Sequence, residues 1–400
     1  MDIRSVTLFC EPTFDRARAA AFYAAARTAF TVPVQTVRLA TPPFPDWMEP
    51  ENITAQAQAF AADWGAAGAD YISVGPVQMG HDGRWLDALP ELLSATAVLF
   101  ASMEIGDENG RFNLQRIRHT AATVQKISRI HPNGFGNLYA TAIANCPPVT
   151  PFFPVAYHRG GEPAFALALE AADIAVTAIE AAATLAEARR NLVTAIEAAA
   201  KGLEKTAVSL ANQHNIPFAG IDFSLAPYPE DGKSLAAAME ALGVPHIGAS
   251  GSLFAAAFIT EAIDRADFHR CGFSGLMLPV LEDSVLAARA QNGAVTVNEL
   301  LSYAAVCGVG LDTIPLAGEV SVEELTAVFL DIAALAARLN KPLTARLMPL
   351  PGLAVGDKAA FDFPYFADGW VMAVKGDGVK GVMGGNGRLQ IKQRPVAGSK

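Results

Sequence analysis

Charge is scarce in this 400-residue chain: Asp, Glu, Lys and Arg make up 18% of it, against 52% hydrophobic residues. Disorder needs the opposite balance, so a packed core is implied, and the length suffices for one large core or two smaller ones. Positive charge is the scarcer sign, with 30 Lys and Arg against 40 Asp and Glu for a formal net charge of −10. Nucleic-acid binding takes a clustered basic surface. Here the densest basic stretch, Lys375 to Lys400, spreads Lys375, Lys380, Arg388, Lys392, Arg394 and Lys400 along what reads as a solvated tail. Nucleic acid is therefore not an expected partner.

Cysteine is equally sparse. Cys10, Cys146, Cys271 and Cys307 stand far apart, and a chain this long needs no disulfide staples, so four thiols in a reducing cytoplasm are expected. Long apolar runs are missing as well: Ser94 to Met103 and Ser252 to Thr260 are about half the ~20 residues of a membrane-spanning helix. They read as buried core elements, with no membrane partner. Met1-Asp2-Ile3-Arg4 runs straight into a strand-like pattern without the basic and apolar regions of a secretion signal.

Several chemistry-bearing motifs are also absent, among them Walker A, HExxH and CxxC. Gly376-Asp377-Gly378-Val379-Lys380-Gly381 has the bare GxGxxG spacing, but Met383-Gly384-Gly385-Asn386-Gly387 follows where a dinucleotide site needs a helix, so it reads as a hairpin turn. Gly272-Phe273-Ser274-Gly275 carries Leu276 where a nucleophile elbow needs its last glycine, which leaves serine-hydrolase chemistry without support.

What is present is alternation. Short apolar runs such as Ile3 to Phe9, Tyr71 to Val74 and Leu343 to Leu350 alternate with longer Ala-rich segments of helical period, including Phe14 to Phe30 and Val322 to Leu339. That pattern predicts an α/β fold, a largely parallel sheet or barrel, as a single domain without a linker. Helix-forming residues dominate from Glu162 to His214. One helix over that stretch would be about 80 Å long. Thr184-Leu185-Ala186-Glu187 has the capping-box form, so the spacing predicts a helix pair over 162–214, turning near Thr184 and inserted between strands. From Ala360 the chain turns Gly-rich, with β-like runs at Trp370 to Val374 and Arg388 to Gln393 that predict a C-terminal β-hairpin within 360–400.

Ligands in parallel α/β folds gather beyond the carboxyl ends of strands, and four polar stops fall there. Pro151 to His158 ends an apolar run in His158, either a satisfied structural residue or a group titrating in the useful range. Gly220 to Pro227 places Asp222 and Ser224 two apart on one strand face, open to a metal, a polar substrate or an Asx turn. His269 to Asp283 puts glycines on both sides of Ser274, with Gly275 permitting close approach of a ligand. Its Glu282-Asp283 pair opens a helix, Asp283 standing where an N-cap is wanted; Cys271 is either a nucleophile or a small buried hydrophobe. In Cys307 to Gly318, the pair Asp312-Thr313 interrupts an apolar run, holding either loop amides or a ligand.

These segments in this order, with Lys341 to Pro349 and Gly356-Asp357, resemble the PFL family, also called domain of unknown function 711. The resemblance implies the α/β barrel of the pyruvate formate-lyase-like glycyl radical enzymes, two half-sheets closed into one barrel. Working glycyl radical enzymes carry a glycine in an Arg-Val-x-Gly-aromatic setting. Gly381, Gly384, Gly385 and Gly387 lack those neighbours. The expectation is an enzyme, such as a lyase, isomerase or hydrolase, acting on a small polar metabolite without a stored radical. His158, Asp222, Asp312 and Cys271 are its catalytic candidates; Ser224, Ser274, Gly275, Thr313 and Glu282 would bind substrate. A divalent metal is left open as cofactor. The alternative is a non-catalytic protein that binds a small-molecule ligand through the same residues. The helix pair offers a face for a homo-oligomer.

Overall fold

A computed structural model of the chain describes residues 1–394 apart from 231 and 292. The first half alternates strand and helix: β1 (Asp2–Phe9), α1 (Arg16–Ala29), β2 (Val37–Ala40), α2 (Ile53–Ala66), β3 (Tyr71–Val77), α3 (Arg84–Ser94), β4 (Leu99–Gly106), a short β5 (Arg111–Asn113), α4 (Leu114–Ile127) and β6 (Ala140–Ala144). β1, β2, β3, β4 and β6 lie side by side and parallel. The second half supplies β7 (Ala164–Glu170), α5 (Ala172–Glu180), α6 (Leu185–His214), β8 (Phe218–Ala226), α7 (Leu235–Ala241), α8 (Ser252–Arg265), α9 (Ser284–Ala290), α10 (Val297–Ala304), β9 (Gly310–Ala317), α11 (Val322–Leu339) and β10 (Leu343–Leu350). β7 and β8 are parallel to each other, as are β9 and β10, but β7 runs antiparallel to β1 and β10 antiparallel to β6. The result is one nine-stranded sheet, β8-β7-β1-β2-β3-β4-β6-β10-β9, in a mixed α/β fold. β10 is a continuous apolar run because both of its faces are covered, and all eight of its residues are buried.

The helix pair begins later than its composition predicts. Residues 164–170, Ala-Phe-Ala-Leu-Ala-Leu-Glu, form β7, and the helices start at Ala172. Alanine favours helix, but β7 is held between β1 and β8, and Phe165 packs its ring 5.1 Å from Phe22 and 5.3 Å from Phe218. Burial of that face overrides local propensity. The turn itself falls at Thr184, whose Oγ1 accepts from the Glu187 amide at 3.2 Å while the Ala183 amide donates to the Glu187 carboxylate at 3.0 Å. α6 buries Leu192, Ile196 and Leu203 against its own fold, chiefly α5, α8 and β8.

Nine flat strands at about 4.8 Å spacing would hold the edges nearly 40 Å apart. Here one segment touches both: Ile221 of β8 bridges to Arg270, and Asp312 of β9 bridges to Pro279. The sheet is therefore strongly curled. It is not the closed barrel expected, because the ladder ends at β8 and β9, and the chain crossing the gap is irregular rather than a strand. Pro279 has no amide to donate, and Gly275 lies so close to Gly308 that a Cβ on it would sit 2.4 Å from the Gly308 Cα.

The C-terminal hairpin is also corrected. β11 (Lys358–Ala359) pairs with β12 (Gly369–Trp370), whereas β13 (Arg388–Gln390) pairs antiparallel with β5. Strands this short do not hold an isolated hairpin, and β5 offers β13 an edge. Residues 395–400 of the expected hairpin lie outside the described residues. Among the described residues no helix is long and apolar enough to cross a membrane.

Candidate functional site

The curled sheet lines a cavity of about 120 Å³. Arg4 of β1, Arg38 of β2, Asp222 and Ser224 of β8, Arg346 of β10 and Glu282 face it. At about 30 Å³ for each liquid-like water, it has room for about four waters or one small molecule.

A buried ion cluster forms one wall. Glu282 accepts from Arg4 at 2.6 Å and from Arg346 at 3.2 Å, and Arg346 Nε also donates to Asp312 at 2.6 Å. Arg4 approaches Glu170 at 3.5 Å, and Glu170 in turn meets Lys233 and Gln35. Burial works against the Arg4 charge, but Glu282 and Glu170 outweigh it and raise its pKa. Burial pushes the Asp312 carboxyl up despite Arg346.

Arg38 differs from its neighbours. Its Nε donates to Thr36 Oγ1 at 2.8 Å, and among the described residues no carboxylate pairs with its guanidinium. Burial, helped by repulsion from Arg4, lowers its pKa to about 10. Rings cover the flat faces of all three guanidiniums: Tyr365 over Arg4 at 5.1 Å, Phe153 and Tyr71 over Arg38 at 4.9 and 5.7 Å, and Phe152 over Arg346 at 5.6 Å. Stacking occupies the faces and leaves the in-plane N–H groups free to recognise a partner.

Asp222 shares the lining, only 2% exposed. Its carboxylate accepts from Ser224 Oγ and from the amides of Phe273 at 3.0 Å and Ser274 at 2.9 Å. Burial raises its pKa, against the pull of those three donors. Ser274 adopts a left-handed backbone, φ 42°, and its Oγ accepts from the Phe223 amide, tying the Cys271 to Ser274 turn to β8. Thr313, also left-handed at φ 44°, accepts from the Leu281 amide.

The expected constellation is thus divided. Asp222, Ser224 and Glu282 share the cavity, with Asp312 joined to it through Arg346. Ser274, Gly275 and Thr313 hold backbone around it. His158 and Cys271 line a separate, more open cavity with Arg159 and Glu162. Burial lowers the His158 pKa and raises that of Cys271 well above the usual thiol value, so His158 is disposed to be neutral and Cys271 a thiol. The sequence reading missed Arg4, Arg38, Arg346 and Tyr365. The signal was a lone arginine inside an apolar strand, in Asp2–Phe9, Val37–Ala40 and Leu343–Leu350. A divalent metal finds no ligand set, because among the described residues no three His, Cys, Asp or Glu side chains gather as one would require.

Fold and cavity together define a mixed α/β protein with an arginine-lined chamber formed by one curled sheet and its loops. The chain belongs to the family described as "Uncharacterised ACR (DUF711)", whose profile matches residues 1–363. It is 34% identical over 367 residues to a UPF0210 protein of Pyrobaculum aerophilum, covering 87% of this chain and 80% of that one. A UPF0210 protein of Methanopyrus kandleri is 29% identical over 322 residues, 77% of this chain and 71% of the relative. One of Neisseria meningitidis is 28% identical over 282 residues, 68% and 62%.

Proposed function

We propose that this protein is an enzyme acting on a small metabolite by acid–base chemistry in this cavity, with Asp222 as the proton-transferring group. One observation carries the reading: a carboxyl 2% exposed lines a cavity that three guanidiniums also line. Burial moves such a carboxyl toward the pH range where it can both give and take a proton. Ser224, two residues along the same strand face, orients it. Glu282 and Asp312 are positioning residues, fixing Arg4 and Arg346 toward the cavity. Excluding water strengthens every one of these interactions on a bound substrate.

Two further parts of the reading concern the scaffold. Arg270 to Pro279 would seal the sheet into the kind of barrel implied by the pyruvate formate-lyase-like resemblance. The chemistry would need no glycyl radical, since the Gly384 to Gly387 turn lies on the surface near Val382, which is 94% exposed. Four free cysteines fit a cytoplasmic setting.

The non-catalytic reading keeps one observation of its own: two of the three hydrogen bonds on Asp222 come from the Phe273 and Ser274 amides, so the carboxylate also staples a turn. The two readings part in one experiment. Purified protein and the Asp222→Asn variant are incubated with a small-molecule cell extract in heavy water, and mass spectrometry follows consumption and deuterium uptake. Wild type alone should change a discrete species. If neither protein alters any, or both alter the same one equally, the catalytic reading fails.

A further inference from the structure

The strongest imbalance in the molecule is local. Glu282 is shared by Arg4 and Arg346, Asp312 holds Arg346, and Glu170 is engaged by Arg4, Lys233 and Gln35. Every carboxylate of the cluster thereby faces a cation, and Arg38, half-buried in the cavity lining, is left over with one bond to a threonine hydroxyl. An unpaired charge in such surroundings is costly to keep and is retained where something meets it.

The remaining walls say what else the occupant carries. Beyond the arginines the cavity is ringed by Tyr71, Phe100, Tyr139, Phe152, Phe153 and Phe363. Phe100 packs edge-on against Tyr71, Tyr139 and Phe153 at 5.5, 5.0 and 5.4 Å, so these rings hold one another at fixed angles in the lining they share with Arg38. Resting on the reading of this cavity as a substrate site, we propose that its ligand is a monocarboxylate with a planar, apolar body: the carboxylate paired side-on with Arg38, the body between the rings. A second carboxylate would have to compete with Glu282 and Glu170 for Arg4, or with Glu282 and Asp312 for Arg346. A flat unsaturated or aromatic body fits rings that stand at fixed angles.

Binding of benzoate and crotonate to the full chain is measured by calorimetry, with benzamide, fumarate and inorganic phosphate as comparisons. Benzoate or crotonate should bind, benzamide should not, and fumarate and phosphate should bind more weakly than the better monocarboxylate. Arg38→Met should weaken that binding by about ten- to a hundredfold, the worth of a charge-assisted pair. It should also raise the melting temperature of the unliganded protein, because a residue kept for a ligand rather than for the fold is a net burden without it. Arg38→Lys, which keeps the charge but loses the planar fork, should bind with the same preference and lower affinity, and serves if the methionine variant does not fold. Equal or tighter binding of phosphate or fumarate, unchanged binding by both Arg38 variants, or no binding of either monocarboxylate overturns the proposal. Binding is read by calorimetry and turnover by the heavy-water assay, so loss of binding alone removes the ligand class and loss of the heavy-water difference alone removes the catalytic reading.

Discussion

Removing the Arg346 charge tests the ion cluster most directly. Its Nε and Nη2 hold Asp312 and Glu282, and Nη1 reaches the Leu138 carbonyl at 3.4 Å. Arg346→Met retains much of the volume and removes every donor. Glu282 still has Arg4 at 2.6 Å, but Asp312, 1% exposed and with its Oδ2 unpartnered among the described residues, is left without a cation. Breaking a buried pair from one side costs roughly 3–5 kcal/mol, and with Glu282 protected the lower end, about 3 kcal/mol, is expected. The pH dependence has a definite sign. A carboxyl whose pKa is higher folded than unfolded holds more protons when folded, so its contribution to stability falls as pH rises from the unfolded value toward the folded one. Burial already raises the Asp312 pKa with Arg346 present, and the variant raises it further. The deficit against wild type should be largest at neutral pH and shrink toward about pH 4.5, read from urea denaturation midpoints with slopes unchanged. Arg346→Met with Asp312→Asn should recover more than half of it. A deficit below about 1 kcal/mol at neutral pH, or a double variant no more stable than the single one, would refute the cluster as described.

Three other perturbations have outcomes set by the geometry. Burial lifts the Glu104 carboxyl to about 7 from an ordinary value of 4.5, against the Met79 amide bound at 2.6 Å. Wild type should therefore lose up to about 3 kcal/mol relative to Glu104→Gln as pH rises across that window, and parallel urea curves for the two proteins would contradict this. Gly275→Ala places a Cβ 2.4 Å from backbone and should destabilise by about 1–3 kcal/mol or more, whereas Gly202→Ala on α6, with open space around it, should stabilise by about 0.5–1 kcal/mol. Thermal melts of the pair would expose a wrong placement of the Gly275–Gly308 contact. Asp283 caps α9 through the Leu286 amide and also accepts from Ser234 Oγ and the Leu235 and Ala236 amides at the start of α7. Asp283→Ala should thus cost about 1–4 kcal/mol, the range of two caps rather than one, by chemical denaturation.

The sequence was most legible where the apolar period changes sharply. Val322–Leu339 and Leu343–Leu350 are read to the residue because an eighteen-residue helical stripe stops at Asn340, left-handed at φ 50°, and a fully apolar run follows. β6 and β7 were not legible, since Ala-Thr-Ala-Ile-Ala and Ala-Phe-Ala-Leu-Ala-Leu-Glu have the composition of helices, and only flanking strands make them strands. The crossing at 270–279 failed in the other direction: Gly275 to Leu281 has the composition of a buried strand, but Gly275 abuts Gly308 and Pro279 cannot complete a ladder.

The site shows the same division, for a reason the fold supplies. Asp222 and Glu282 were found because a carboxylate there breaks an apolar run, read as the strand end where a parallel sheet presents its ligands, although Asp222 lies inside β8. Arg4, Arg38 and Arg346 lie within strands, and in a flat sheet β1, β2 and β10 would hold them too far apart to act on one molecule. β1 and β10 are separated by β2, β3, β4 and β6, so about 24 Å of sheet would divide Arg4 from Arg346 at 4.8 Å per strand. Yet both donate to one Glu282 carboxylate. Three locally costly residues become one cluster only because the sheet curls, and the residues that permit the curl, Gly275 against Gly308 beside the irregular 270–279 segment, are remote in sequence from all three. An arginine in the middle of an apolar strand therefore carries information by its position alone, since burying it there is costly and it marks a strand that must face something other than a closed core.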